Sequence, residues 1–293
     1  MVCRESHPTH WWDASGIHSA VDSTSGLEKG SKILGGRDKV SGGTWLCAGE
    51  NGRVAFVTNV RNRKSLQVKP ESPSRGYLPL LCVTDPGETQ LEERLAGLDK
   101  EAYSPFNLVA AELSCSNGSG KPRMWYLSNE NEKEWRARNG CNHSEMMDLK
   151  SGMVCVQPGI HALSNKSLNS PWPKVILAKK CFQELVESGA FDRDDGSFPW
   201  DEIFLVMQNS SILESRSDAL EDTGYGYEWE SRASGIFVKP TQLRGAVWAT
   251  RSITVLAVRR DGQAELRERY LASPDPDKSD VWEEEQFIFK MNL

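Results

Sequence analysis

The sequence predicts an α+β layered sandwich, in which hairpin-paired antiparallel sheets are covered by helices. Three observations carry this. Asn51-Gly52 and Asp261-Gly262 each separate two short apolar runs, the strongest short-range hairpin signal. Apolar residues at helical spacing are concentrated in the middle of the chain. The order is therefore strands, helices, strands, and the helices have sheet faces to cover.

Taken in order, residues 17–32 are rich in Ser and Gly and read as a loop. Residues 44–48 and 53–58 are the two strands of the first hairpin. Ser74 is placed to cap a helix through Leu78, Leu81 and Cys82, with Pro79 in its first turn. Leu91, Leu95 and Leu98 predict a second helix within 88–102. The dense apolar run 106–113 suits a buried strand, turned back by Asn117-Gly118-Ser119-Gly120 into a strand at 124–127. Residues 130–150 are polar and charged and read as an insertion in the fold. Short strands are expected at 153–156 and 160–163, around Pro158-Gly159. Ser170, Pro171 and Pro173 open the clearest helix, which carries Val175, Ile176, Phe182, Leu185 and Val186 and stops at Gly189. Residues 198–208 read as another helix and 218–230 as an acidic loop. Strands close the chain at 236–238, 250–259, 264–270 and 286–290. No internal repeat or linker divides it, so residues 1–293 are expected to form one domain.

Composition excludes several classes. With 38% hydrophobic and 26% charged residues the chain can bury a core, which excludes wholesale disorder. A formal charge of -6, from 35 Lys and Arg against 41 Asp and Glu, excludes nucleic-acid binding driven by bulk charge. No apolar stretch is long enough to span a membrane, and residues 1–12 lack the apolar segment of a secretory signal; the expected location is the cytoplasm, while the signal-free N-terminus itself reads as an incomplete start. The 7 cysteines include no Cys-x-x-Cys pair. They read as free thiols in a reducing compartment, and the sequons at Asn117, Asn142, Asn165 and Asn209 as incidental.

Few motifs carry chemistry. Ser119-Gly120-Lys121 lacks the first glycine and the Ser/Thr of a phosphate loop, and Gly224-Tyr225-Gly226 lacks a strand–helix context. Cys141-Asn142-His143 has no partner pair, so no metal site is expected. His161, in an apolar stretch, reads as structural. Asn59, Asn107 and Asn165 lie at or near strand ends. There an amide can polarise a carbonyl or simply make a turn. Arg37-Asp38, Arg75 and Arg251 occupy similar places, where an ion pair is the plainer role.

These clusters are where a resemblance enters. Gly35-Gly36-Arg37-Asp38, Gly42-Gly43-Thr44-Trp45-Leu46 and Gly52-Arg53-Val54-Ala55-Phe56-Val57-Thr58-Asn59 resemble the front of the NRDE family, the transport and Golgi organisation 2 family. Ser74-Arg75-Gly76, Phe106-Asn107-Leu108, Thr250-Arg251-Ser252 and Glu268-Arg269-Tyr270 are similar to further family motifs. The most specific match is Gly159-Ile160-His161-Ala162-Leu163-Ser164-Asn165, followed by Leu168-Asn169-Ser170-Pro171-Trp172-Pro173-Lys174. The wording is nearest to plant-like members.

The resemblance implies an N-terminal-nucleophile-hydrolase-like αββα four-layer sandwich of two antiparallel sheets. In that fold's hydrolases a terminal residue is the nucleophile and its own amine the base. The family opens with Met-Cys, an apolar strand and Asn-Arg-Asp-Glu. Here that strand and motif are missing. His7-Pro8-Thr9 and Trp11-Trp12 resemble the family's next stretch, and Cys3 stands behind Val2. The expectation is thus a shortened N-terminus, a missing first strand and no catalytic nucleophile. The implied function is non-enzymatic: Golgi organisation and protein secretion, with intracellular haem or acyl-lipid handling, and Golgi or mitochondrial association. Arg37, Asp38, Asn59, Arg75, Asn107, Asn165 and Arg251 would line a pocket for haem or acyl-CoA, with His161 as an axial candidate. The alternative is a cysteine amidohydrolase inactive without its terminal Cys, in which Asn165 would hold the oxyanion and Arg251 the scissile group.

Overall fold

The computed structural model describes residues 6–13, 32–38, 40–61, 72–84, 90–113, 121–130, 153–214, 218–243, 246–273 and 281–293. Cys3, the Asn117-Gly118-Ser119-Gly120 turn and the polar insertion beyond Glu130 lie outside the described residues. Along the chain come β1 (Ser6–Asp13), β2 (Lys32–Asp38), β3 (Leu46–Gly49), β4 (Arg53–Asn59), α1 (Tyr77–Val83), α2 (Leu91–Ala96), β5 (Phe106–Glu112), β6 (Arg123–Ser128) and β7 (Met153–Cys155). Next are α3 (Pro173–Glu187), α4 (Trp200–Met207), α5 (Tyr227–Arg232), β8 (Thr241–Leu243), β9 (Ala246–Trp248), β10 (Ser252–Val258), β11 (Gln263–Ser273) and β12 (Val281–Lys290).

The chain divides into two compact units, each assembled from separated stretches. The larger comprises residues 4–60, 68–157 and 254–293; the smaller comprises 1–3, 61–67 and 158–253.

In the larger unit β1 to β7 form one antiparallel sheet in sequence order, a meander built of hairpins. Residues 6–13, expected to come after a missing strand, form its edge strand β1. Strand alternation sorts the residues onto two faces. Ile33, Cys47, Ala55, Val57, Leu108, Ala110, Trp125 and Leu127 join Leu78, Leu80, Leu91 and Leu95 of α1 and α2 in the main core. Their neighbours Ala48 and Val54 instead meet Ala264, Leu256, Phe289 and Met291 of the three-stranded sheet β10-β11-β12 and its end. Helix, sheet and sheet are therefore stacked within this unit. Both predicted hairpin turns form: Gly52 (φ 77°) and Gly262 (φ 85°) occupy the left-handed region that favours glycine.

Around the β4–β5–β6 end, charges are paired as they are buried. Glu112 accepts from Arg53 at 3.2 Å, and Arg123 lies 3.0 Å from Glu92 while its other nitrogen faces Glu112 at 3.8 Å. The Arg123 guanidinium also covers the ring of Trp125 at 5.0 Å.

Several expectations are corrected. The helix expected within 88–102 is α2 alone followed by a single 3₁₀ turn at Lys100–Ala102, because Gly97 ends α2. Neither serine caps its helix. Ser74 Oγ accepts from Gly76 N–H at 3.3 Å, one step before α1. Beyond Ser170, the residue before Pro173 is held extended (Trp172, ψ 142°), so α3 starts only at Pro173. Residues 160–163 are not a strand, because both Ala162 backbone groups bond Asn169 instead of a neighbouring ladder. Residues 236–238 are likewise irregular, and the hairpin β8–β9 stands just beyond them. The acidic stretch 218–230 ends in α5, whose first turn carries Glu228 and Glu230 and whose last carries Arg232, the order the helix dipole favours. Among the described residues the two large antiparallel sheets of the expected sandwich are accompanied by a small third one, the two-stranded β8–β9.

Candidate functional site

The residues expected to line a pocket fall into two groups. In the larger unit, Asp38 organises the turn after β2. Its Oδ1 accepts from Val40 N–H at 2.8 Å, its Oδ2 accepts from Ser41 Oγ at 2.9 Å, and its own N–H donates to Gly43 O at 2.8 Å. Arg37 precedes it on β2. Arg75, ahead of α1, donates to Pro105 O at 2.9 Å, and Val60 N–H donates to the same carbonyl at 3.2 Å. Asn59 pairs in register with Phe106, and Thr58 with Asn107. The structure thus brings Asn59, Arg75 and Asn107 to one end of the β4–β5 pair. Asn107 is fully buried: its Oδ1 accepts from Tyr126 O–H at 2.8 Å and its Nδ2 donates to Thr58 Oγ1 at 3.1 Å.

Asn165 and Arg251 belong to the smaller unit. Asn165 O accepts from Arg61 N–H at 2.6 Å. Arg251 comes after Thr250, whose N–H donates to Val238 O at 2.9 Å.

Beside Asn165, the same unit contains a cavity of about 490 Å³, within the range of small-molecule sites. Its walls are the 159–164 loop, one face of α3 (Lys174, Val175, Ala178, Lys179 and Phe182), Val206 and Met207 of α4, and Ile236. The lining is mainly apolar, its charged residues are Lys174 and Lys179, and it includes no carboxylate.

Asn169 holds this loop to the start of α3. It adopts φ 55°, a left-handed conformation that Asn tolerates better than most residues. Its N–H donates to Ala162 O at 2.9 Å and its Oδ1 accepts from Ala162 N–H at 3.1 Å. That second bond fixes the amide orientation, so Nδ2 is the atom 2.9 Å from His161 Nδ1 and donates to it. His161 is therefore the tautomer with its proton on Nε2.

Behind the α3 wall lies a cluster of charges. Arg61 pairs with Glu230 at 2.8 Å, their side chains 14% and 4% exposed, and its guanidinium stands 4.8 Å over the ring of Trp172. Trp172 Nε1–H donates to Glu221 Oε2 at 3.1 Å, and Lys166 also pairs with Glu221. Thr223 Oγ1 donates to Glu230. Lys174 borders both this cluster and the cavity. Although the residue is half-buried overall, its amine is enclosed. That desolvation, reinforced by the Arg61 charge and offset in part by Glu230, pushes its pKa down to about 8. Burial lowers Arg61 as well, against the pull of Glu230. Among the described residues, no ion pair joins Lys174 to a carboxylate.

In the sequence, Asn169, Trp172 and Lys174 are motif letters without an assigned role, and Arg61 and Glu230 carry no signal at all. Only the density of the motif around Pro171-Trp172-Pro173-Lys174 indicates that this stretch does more than start a helix.

The family model described as Transport and Golgi organisation 2 matches residues 1–273. The chain belongs to this family. The mouse Transport and Golgi organization 2 homolog is 26% identical over 267 residues, covering 89% of this chain and 84% of its own. The human Transport and Golgi organization protein 2 homolog is 25% identical over 258 residues, covering 84% and 79%. Among solved structures, a variant of conjugated bile acid hydrolase from Clostridium perfringens aligns over 89% of this chain and 82% of its own, with TM-score 0.37 and 8% identity.

The thiols of this Transport and Golgi organisation 2 family member are free where described: Cys47, Cys82, Cys155 and Cys181. Burial raises Cys47 and pushes Cys82 up to about 12, so both are poor nucleophiles. No helix among the described residues is long and apolar enough to cross a membrane.

Proposed function

We propose that this Transport and Golgi organisation 2 family protein serves Golgi organisation and protein secretion from the cytoplasm by binding an acyl lipid, free or as its coenzyme A thioester, in the cavity of the smaller unit. The observation that carries this reading is the lining: apolar side chains from two helices and a loop, with Lys174 and Lys179 as its charged groups. An apolar body with an anionic end matches that lining in both respects. Membership of the family supports the Golgi and secretory setting.

Haem, the other ligand considered, fits less well. Its iron would require a ring lone pair from the cavity histidine. Asn169 donates to Nδ1 of His161, which leaves the proton on Nε2. Neither nitrogen then offers iron a free lone pair.

The test is calorimetric titration with palmitoyl-CoA. Saturable one-to-one binding is expected, and Phe182→Asp should weaken it about tenfold or more by placing a carboxylate in the cavity wall. Binding untouched by Phe182→Asp but weakened by Asn107→Ala would move the ligand to the end of the β4–β5 pair that carries Asn59, Arg75 and Asn107. No binding at all would sink the reading.

A further inference from the structure

Lys174 differs from the paired cations described in either unit. Arg53 and Arg123 have Glu112 and Glu92. Arg61 has Glu230, and Lys166 has Glu221. The two carboxylates that line the charge cluster with Lys174 are thus already engaged by other cations. Around it stand Arg61 and Glu230 (on α5) from the charge cluster, Glu221 with Lys166, Lys179 five residues on in the same helix, and His161 in the cavity lining. Cations outnumber carboxylates, and Lys174 is the residue that borders both the charge cluster and the cavity.

Resting on the lipid-binding reading, we propose that Lys174 is the residue that grips the anionic oxygens of the ligand's head group, carboxylate or phosphate, while the acyl chain lies along Val175, Phe182, Val206 and Ile236. Here a desolvated cation borders an apolar cavity of ligand size. An anion entering there supplies the partner that the fold withholds, and a charge-assisted bond in such surroundings is about twice as strong as a neutral one. Lys179 lines the same cavity but not the charge cluster.

This placement also links binding to protons. The free amine loses its proton near pH 8, and an anion beside it holds the proton to higher pH. Binding above pH 8 must therefore take up a proton, and affinity falls as pH rises. Between pH 7 and pH 9 the expected loss is about tenfold.

The experiment titrates the full chain with laurate, lauryl phosphate and the uncharged dodecanol at pH 7 and pH 9. Expected are tighter binding of the two anions than of the alcohol, a fall in anion affinity at pH 9, and a loss of about ten- to a hundredfold in Lys174→Met with dodecanol unaffected. Lys174→Arg should keep anion binding and abolish its pH dependence. Preference for one anion over the other identifies the head group. Equal affinity for all three, an equal loss of dodecanol in Lys174→Met, or a loss carried by Lys179→Met instead would overturn the assignment of Lys174 and leave the cavity reading standing. No binding of any of the three would overturn both. Thermal melting of each variant separates lost binding from lost folding.

Discussion

The two units differ in where their buried charges lie. In the larger, polar groups close on one another: Asp38 ties its own turn, Asn107 is spanned by Tyr126 and Thr58, and Arg53, Glu112, Arg123 and Glu92 form a chain of pairs. In the smaller, the charges behind α3 are only partly neutralised, and Lys174 faces a cavity of about 490 Å³. Paired charges fix their surroundings, whereas a desolvated cation without a carboxylate partner beside a cavity is completed by an anion. The larger unit therefore has the character of a scaffold, and the smaller that of a binding unit.

This contrast can be broken at several points. The largest effect belongs to the scaffold core: Trp125→Ala, at a fully buried ring between β5, β7 and the helices, should cost about 3–5 kcal/mol in denaturant melts. Glu230→Ala leaves Arg61 buried beside Trp172 without its carboxylate and should cost about 3 kcal/mol. It should also lower the Lys174 pKa further, since Glu230 is the group that raises it, and so weaken anion binding at neutral pH. Tyr126→Phe strips Asn107 Oδ1 of a 2.8 Å donor and should cost about 1–2 kcal/mol, with palmitoyl-CoA affinity unchanged. A loss of affinity in this variant would erase the division between scaffold and binding unit.

The smallest effect has the opposite sign. Lys174→Met should raise the melting temperature at pH 7 by about 3 °C. The folded-state pKa of Lys174 is lowered, so at pH 7 both states carry the proton and only the folded one bears the desolvation. As pH rises from about 8 toward the unfolded value, wild-type stability should recover and the gain from the substitution should vanish. A gain that persists at pH 10 would contradict the assignment of the shift to the ammonium.

Much of the scaffold was legible in the sequence because its signals are local. Asn51-Gly52 and Asp261-Gly262 fix two hairpins at short range, and the dense apolar run 106–113 marks the buried strand β5. The failures also have local causes. Ala162 sits in an apolar run that reads as a strand, yet a residue seven positions on takes both its backbone groups. Ser170, Pro171 and Pro173 mark the loop–helix junction without saying that Asn169 would orient His161. The cavity was not legible: Lys174 and Ile236 lie 62 positions apart, and no periodicity joins them. The seven residues expected in a pocket are ones that fall in motifs resembling the family's. None of them is among the residues lining this cavity, although Ser164 beside Asn165 is.

Hydrogen exchange measured with and without palmitoyl-CoA tests the central claim most directly, because it reports where the ligand sits. Exchange should slow in the 159–164 loop, along α3 from Lys174 to Phe182 and at the end of α4, with the β4–β5–β6 strands unchanged. Protection concentrated around Asn59, Arg75 and Asn107, or no protection anywhere at saturating ligand, would contradict it.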